Sequence, residues 1–103
     1  MPKDRVLAAD LQAETFFLDG LPIGFSERER ALVLCLAQAR GQFGTKSRIM
    51  MAVWGQEVRE ATLRKLVQKV RRRIGDDADN PRWIITEFGM GYRLKNFSPI
   101  ESL

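Results

Sequence analysis

The sequence predicts an α+β fold: a small amino-terminal antiparallel sheet, a core of three helices and a carboxyl-terminal β-hairpin. Three observations carry that expectation. The apolar pattern changes at Ser26 from a period of two to a period of about 3.6. The third helical stretch, LRKLVQKVRRRIG from Leu63 to Gly75, holds six Lys or Arg among thirteen residues and no acid. Directly after it, across the acidic turn DDADNP, comes a strand–turn–strand pattern.

Before Ser26, RVLAADLQAETFFLDGLPIGFS breaks into short apolar runs punctuated by Asp10, Asp19-Gly20 and Pro22-Ile23-Gly24, which favours strands over a helix. Between FFL and LPI, Asp19-Gly20 reads as a two-residue type I′ hairpin turn, which needs positive φ at both positions. Ser26 and Glu29 then make a capping box. Ala31, Leu32, Leu34, Cys35, Leu36 and Ala39 give the stripe of a buried first helix ending near Gly41. GQFGTK forms the next turn, and Thr45 caps a second, shorter helix through Ile49, Met50, Val53 and Trp54, stopped by Gly55. In the third helix, a rotation of about 100° per residue puts Leu63, Leu66, Val67, Val70 and Ile74 on one side to dock on the core. The opposite side collects Ala61, Lys65, Gln68, Lys69 and Arg72, with Arg64, Arg71 and Arg73 on the flanks. WIIT and YRLK around a Gly-Met-Gly turn form the closing hairpin.

At 103 residues and 45% hydrophobic content the chain supports one domain with one small core. Within 1–103 the expected divisions are a sheet over 1–25, three helices over 26–75, a hairpin over 82–95 and a polar tail over 96–103. No apolar run is long enough to span a bilayer, and MPKDRVLAAD lacks the apolar region of a secretory signal, so a cytoplasmic protein is expected. Cys35 sits among apolar residues with no partner for an internal disulfide, which makes it a small core residue before it is a reactive thiol. Histidine is absent altogether. That removes most imidazole and thiolate metal sites and the nucleophile triads, so no catalytic residue, metal, cofactor or small-molecule substrate is expected.

The net charge of +4 is unevenly placed. Residues 1–40 carry five Lys or Arg against six Asp or Glu, and residues 41–103 carry twelve against seven, so the halves stand at −1 and +5. On an ordinary surface helix, cations are interleaved with Glu at i,i+4, because like charges at that spacing repel. From Thr62 to Gly75 no acid intervenes. A phosphate-facing surface fits this pattern better than a solvated face over which Arg and Lys snorkel. A membrane-surface helix would need bulky apolar side chains free for lipid, whereas this stripe is needed to close a small domain.

Three helices with a basic third one, followed at once by a hairpin, describe a winged helix-turn-helix, whose third helix fits the major groove while the hairpin touches neighbouring backbone or minor groove. From about residue 14 to residue 95 the chain resembles the winged-helix effector domain of OmpR/PhoB-type bacterial response regulators. The resemblance rests on LDGLPIGFSERERALVLCLA, on AVWG at Ala52 to Gly55, on Thr62 with the spaced apolar residues and VRRRI, and on ITEFGMGYRL at Ile85 to Leu94. It implies a four-stranded amino-terminal sheet, the three-helix core and the wing. It also implies sequence-specific binding of double-stranded DNA, transcriptional regulation within a two-component system, and binding as two copies, commonly in tandem on direct repeats.

Carried over by position, Lys65, Gln68, Lys69 and Arg72 face the groove, where Lys can donate to guanine and Gln can pair bidentately with adenine. Thr62, Arg64, Arg71 and Arg73 are placed for phosphates, as are Lys46 and Arg48 near the start of the second helix. Trp54 either lies against a backbone sugar or phosphate or packs in the core. In the wing, Thr86, Phe88, Met90, Tyr92 and Arg93 are the candidates, with Tyr92 at the base and Arg93 toward the backbone.

The family often has Arg just before the first wing glycine. Here the residue is Phe88, which is expected to pack under the wing in preference to wedging against sugars, and Glu87 beside it would repel phosphate. The segment QEVREA between Gly55 and Thr62 is short for a family loop that contacts RNA polymerase in activators, so repression stays open. Regulators of this type also carry an amino-terminal receiver domain, for which 103 residues leave no room. Either an excised effector domain or a stand-alone regulator is expected. The competing reading is a winged helix that uses its basic face for RNA polymerase or an acidic protein partner.

Overall fold

A computed structural model of the chain describes residues 5–100. Strands β1 (Leu7–Asp10), β2 (Thr15–Leu18) and β3 (Leu21–Pro22) form an antiparallel meander, with Leu7 opposite Leu18 and Leu18 opposite Leu21. Asp19 and Gly20 both have positive φ, 53° and 84°, as the type I′ turn requires. Asp19 also stitches the chain start to this turn: its carboxylate accepts from the Val6 N–H at 2.8 Å and from Arg5 Nε at 3.0 Å.

Helix α1 (Glu27–Gln38) starts at the expected capping box, Ser26 Oγ accepting from Glu29 N–H and Glu29 Oε1 accepting from Ser26 N–H. Its buried face is Leu32, Val33, Leu36 and Ala37, while Leu34 and Cys35 are half-buried. The expected stripe therefore passes over the two positions packed most deeply besides Leu32 and Leu36. ALVLCLA is apolar on every side, so its period does not say which side faces in. Burial raises the Cys35 thiol pKa, which keeps it in the unreactive thiol form.

The turn after α1 contributes a strand of its own, β4 (Gly44–Thr45), before α2 (Lys46–Trp54) begins at the Thr45 cap. Helix α3 (Glu60–Ile74) buries Leu63, Leu66, Val67, Val70 and Ile74, the five residues its period selects. Strands β5 (Ile84–Glu87) and β6 (Gly91–Leu94) make the hairpin, and β4 joins it in the order β4-β6-β5. Gly91 is required where β4 crosses: a Cβ there would fall on the Gly44 carbonyl oxygen and 3.0 Å from Thr45 Cα.

The expected polar tail is structured over 97–99, and its last three residues lie outside the described residues. Phe97–Pro99 forms β7, which pairs parallel with β1 and completes a four-stranded sheet in the order β3-β2-β1-β7. The sheet thus has four strands, three from the amino-terminal end and one from the carboxyl-terminal end. The three helices pack on one another and α1 lies against β6, around a shared core that includes Leu32, Leu36, Ile49, Val70, Trp83 and Leu94. Among the described residues, no helix is long and apolar enough to cross a membrane.

Candidate nucleic-acid interface

Five apolar anchors hold α3 against the core, so the orientation of its outer side is set by the fold. Lys65, Lys69 and Arg72 are exposed and, with Arg28, Trp54 and Thr62, line an open groove of about 690 Å³ between α3 and the start of α1. Gln68 is exposed as well. By the helical rotation it stands on the crest between Arg64 and Arg72. Arg64 lines a second, smaller groove of about 170 Å³ between α3 and the hairpin, together with Lys46, Phe88 and Tyr92. The basic outer side is therefore one convex ridge with a groove along each flank.

Arg71 does not belong to that ridge. It is 8% exposed, and its Nη2 donates to the Ile84 carbonyl at 2.7 Å and to Thr86 Oγ1 at 3.0 Å. On the helical wheel Arg71 lies beside Val67, and β5 covers that flank. This corrects its assignment to phosphate, and it gives Thr86 an inward role as Arg71's acceptor. Arg73 keeps half its surface but pairs with buried Glu29, Nε to Oε1 at 2.6 Å. Glu29 thus ties α3 to α1 as well as capping α1, a long-range role for which its sequence position offers no signal.

Trp54 is half-buried, its ring packed on the core and the Arg28 guanidinium 5.9 Å from the ring centroid. The core reading of Trp54 holds for one side of the residue, and another side borders the groove. Arg28 was not anticipated as a groove residue, although an arginine two positions after a capping serine is well placed at a helix start. Lys46 is engaged with Glu60, Nζ to Oε1 at 2.9 Å, and this hydrogen bond and charge lower the Glu60 pKa. Arg48 is exposed at the start of α2.

In the hairpin, Tyr92 is buried at the base opposite Thr86 and Gly44. Glu87 pairs with Arg93, Oε2 to Nη2 at 3.3 Å, so neither presents its full charge. Phe88 is 90% exposed, which corrects the expectation that it packs under the wing. Its backbone sits at the tip of a tight turn closed by Met90 N–H donating to the Glu87 carbonyl at 2.9 Å, too far out for the ring to reach the core.

Residues 20–94 match the family model described as "Transcriptional regulatory protein, C terminal". The chain belongs to that family. Its winged-helix domain is of the OmpR/PhoB type, with which the architecture above agrees. Among curated relatives, the transcriptional regulatory protein KdpE of Mycobacterium tuberculosis is 31% identical over 88 residues, covering 84% of this chain and 39% of its own length. The chain spans about two fifths of the length of KdpE and of the Bacillus subtilis regulator YcbL. Among solved structures, the Thermotoga maritima response regulator DrrB superposes with a TM-score of 0.69 at 30% identity, over 78% of this chain and 37% of that one. The RstA DNA-binding domain of Klebsiella pneumoniae, solved in complex with the RstA box, superposes at 0.76 with 18% identity, over 89% of this chain and 97% of that one. That likeness establishes a shared fold.

Proposed function

We propose that this winged-helix domain binds double-stranded DNA sequence-specifically and regulates transcription in the bacterial cytoplasm, without catalysis. The observation that carries the reading is the α3 ridge: Lys65, Lys69 and Arg72 have no acid within reach along their own helix, and Gln68 stands among them on a helix anchored by five buried side chains. A rigid basic helix of this kind suits the major groove, where Lys and Arg donate to guanine and Gln pairs with adenine. Thr62, Arg64, Arg28 and Arg48 flank it for phosphates, which fix register. The RstA complex, a protein of the same fold bound to its box, supports the same reading. Binding as two copies on direct repeats extends the proposal, and the short connection between α2 and α3 leaves repression open beside activation.

A salt titration on a random duplex tests it. Each phosphate contact should add about 0.9 to the slope of log affinity against log salt. Absence of binding to any duplex at low salt would refute DNA recognition and favour a protein-interaction winged helix.

A further inference from the structure

We propose that the wing tip is an apolar wedge for the DNA minor groove: Phe88, with Met90 beside it, inserts at a base step and kinks the duplex. The inference rests on the DNA-binding reading above and adds to it a deformation-based source of specificity.

The chemistry of the tip leaves little else for it to offer DNA. Residues 84–94 contain a single Lys or Arg, Arg93, and that one is paired with Glu87. A wing that reads a narrow minor groove by charge needs a free cation at its end, and this one presents a phenyl ring and a thioether. Phe88 is 90% exposed and Met90 53% exposed, so neither serves the core. Aromatic and methionine side chains are among those that proteins insert between base steps in the minor groove.

The tip is also held firmly, as a wedge must be if it is to unstack bases instead of yielding to them. Met90's carbonyl accepts from Lys46 N–H at 3.1 Å, which ties the turn to the start of α2. Arg71 ties β5 to α3 through Ile84 and Thr86. Through these two links the wing tip and the α3 ridge share one frame, separated by the small groove that Arg64 and Phe88 line. A helix seated in the major groove would then bring Phe88 to the neighbouring minor groove. Two side chains offer too little area for a stable protein contact, which takes roughly 800 Å² per partner.

The test uses the whole chain and a duplex that it selects from a random pool. 2-Aminopurine is placed in turn at each step of the flanking minor groove, and dyes at the two ends report bending. With saturating wild-type protein, fluorescence should rise at one step and the ends should approach, for a kink in the range of about 20–90°. Phe88→Ala should keep its fold and still bind, yet lose both signals, and Phe88→Leu should recover them. The wedge is overturned if bound Phe88→Ala gives the wild-type fluorescence and bend, or if the bound wild type gives neither. It is equally overturned if Phe88→Ala loses only the binding of a second copy, which would make the tip a protein contact. Failure of every duplex to bind would remove the DNA-binding reading and the wedge with it, and is seen before any bend is measured.

Discussion

Arg71 separates a structural cation from a DNA-contacting one within a single run of three arginines. Consider Arg71→Met, which keeps most of the apolar stem and removes the guanidinium. Two charge-assisted hydrogen bonds are lost, to the Ile84 carbonyl and to Thr86 Oγ1, each worth about 1.5–3 kcal/mol. Against this stands the relief of desolvating a guanidinium that has no carboxylate among its hydrogen-bond partners in the described residues and whose Nε is buried without a partner, a cost of several kcal/mol for an isolated ion that the two hydrogen bonds offset. The bonds win, because Ile84 is fully buried and its carbonyl is left without this donor. A net loss of about 2 kcal/mol follows. With a urea dependence of about 1–3 kcal/mol per molar, the unfolding midpoint should fall by about 1 M with the slope of the transition unchanged. The salt slope of random-duplex binding by the folded protein should stay at the wild-type value, whereas Arg72→Met should lower that slope or the cognate preference and leave the midpoint alone. An Arg71→Met variant with wild-type stability and a salt slope reduced by about 0.9 would refute the assignment.

Lys69→Ala should cost about 1–3 kcal/mol at a selected site and relax preference at one base, measured by competition between cognate and random duplexes; equal losses on both would make Lys69 a phosphate contact. Gly91→Ala should destabilise by about 1–3 kcal/mol in thermal or urea unfolding, since its Cβ meets the Gly44 backbone, and unaltered stability would mean that β4 can move away. The Val6 N–H and then Arg5 hold the Asp19 carboxyl below its ordinary pKa of 3.8. Its contribution is therefore complete above that value and is lost as pH falls through the depressed folded-state value. Asp19→Asn, which keeps the turn, should flatten the stability profile below about pH 4 and leave neutral-pH cooperativity intact; an identical acid limb in both proteins would contradict this.

The elements most legible from sequence were those whose signal is local. The Asp19-Gly20 turn, the Ser26–Glu29 box, the Thr45 cap and the apolar face of α3 each depend on residues within a few positions of one another, and each stands in the structure where it was expected. The α1 face was harder, because a segment apolar all round has no phase to read. β7 was hidden because Phe97–Pro99 pairs with β1, some ninety residues away, and nothing in NFSPIESL marks that partner. In the candidate interface, the ridge of Lys65, Gln68, Lys69 and Arg72 was legible from the helical wheel. The flanks were not: Arg71 and Arg73 look alike on the wheel, and their roles depend on what packs beside them.

By itself the sequence determined a basic helix with one apolar side, a hairpin after it and an inventory with no histidine and a single cysteine, since composition and short-range spacing are properties of the chain alone. Tertiary structure decided which cations remain available. It placed β5 over Arg71 and Glu29 beside Arg73, and it left Phe88 in water at the end of a short turn. Burial and pairing are set by residues distant in sequence, and only the folded chain brings those residues together.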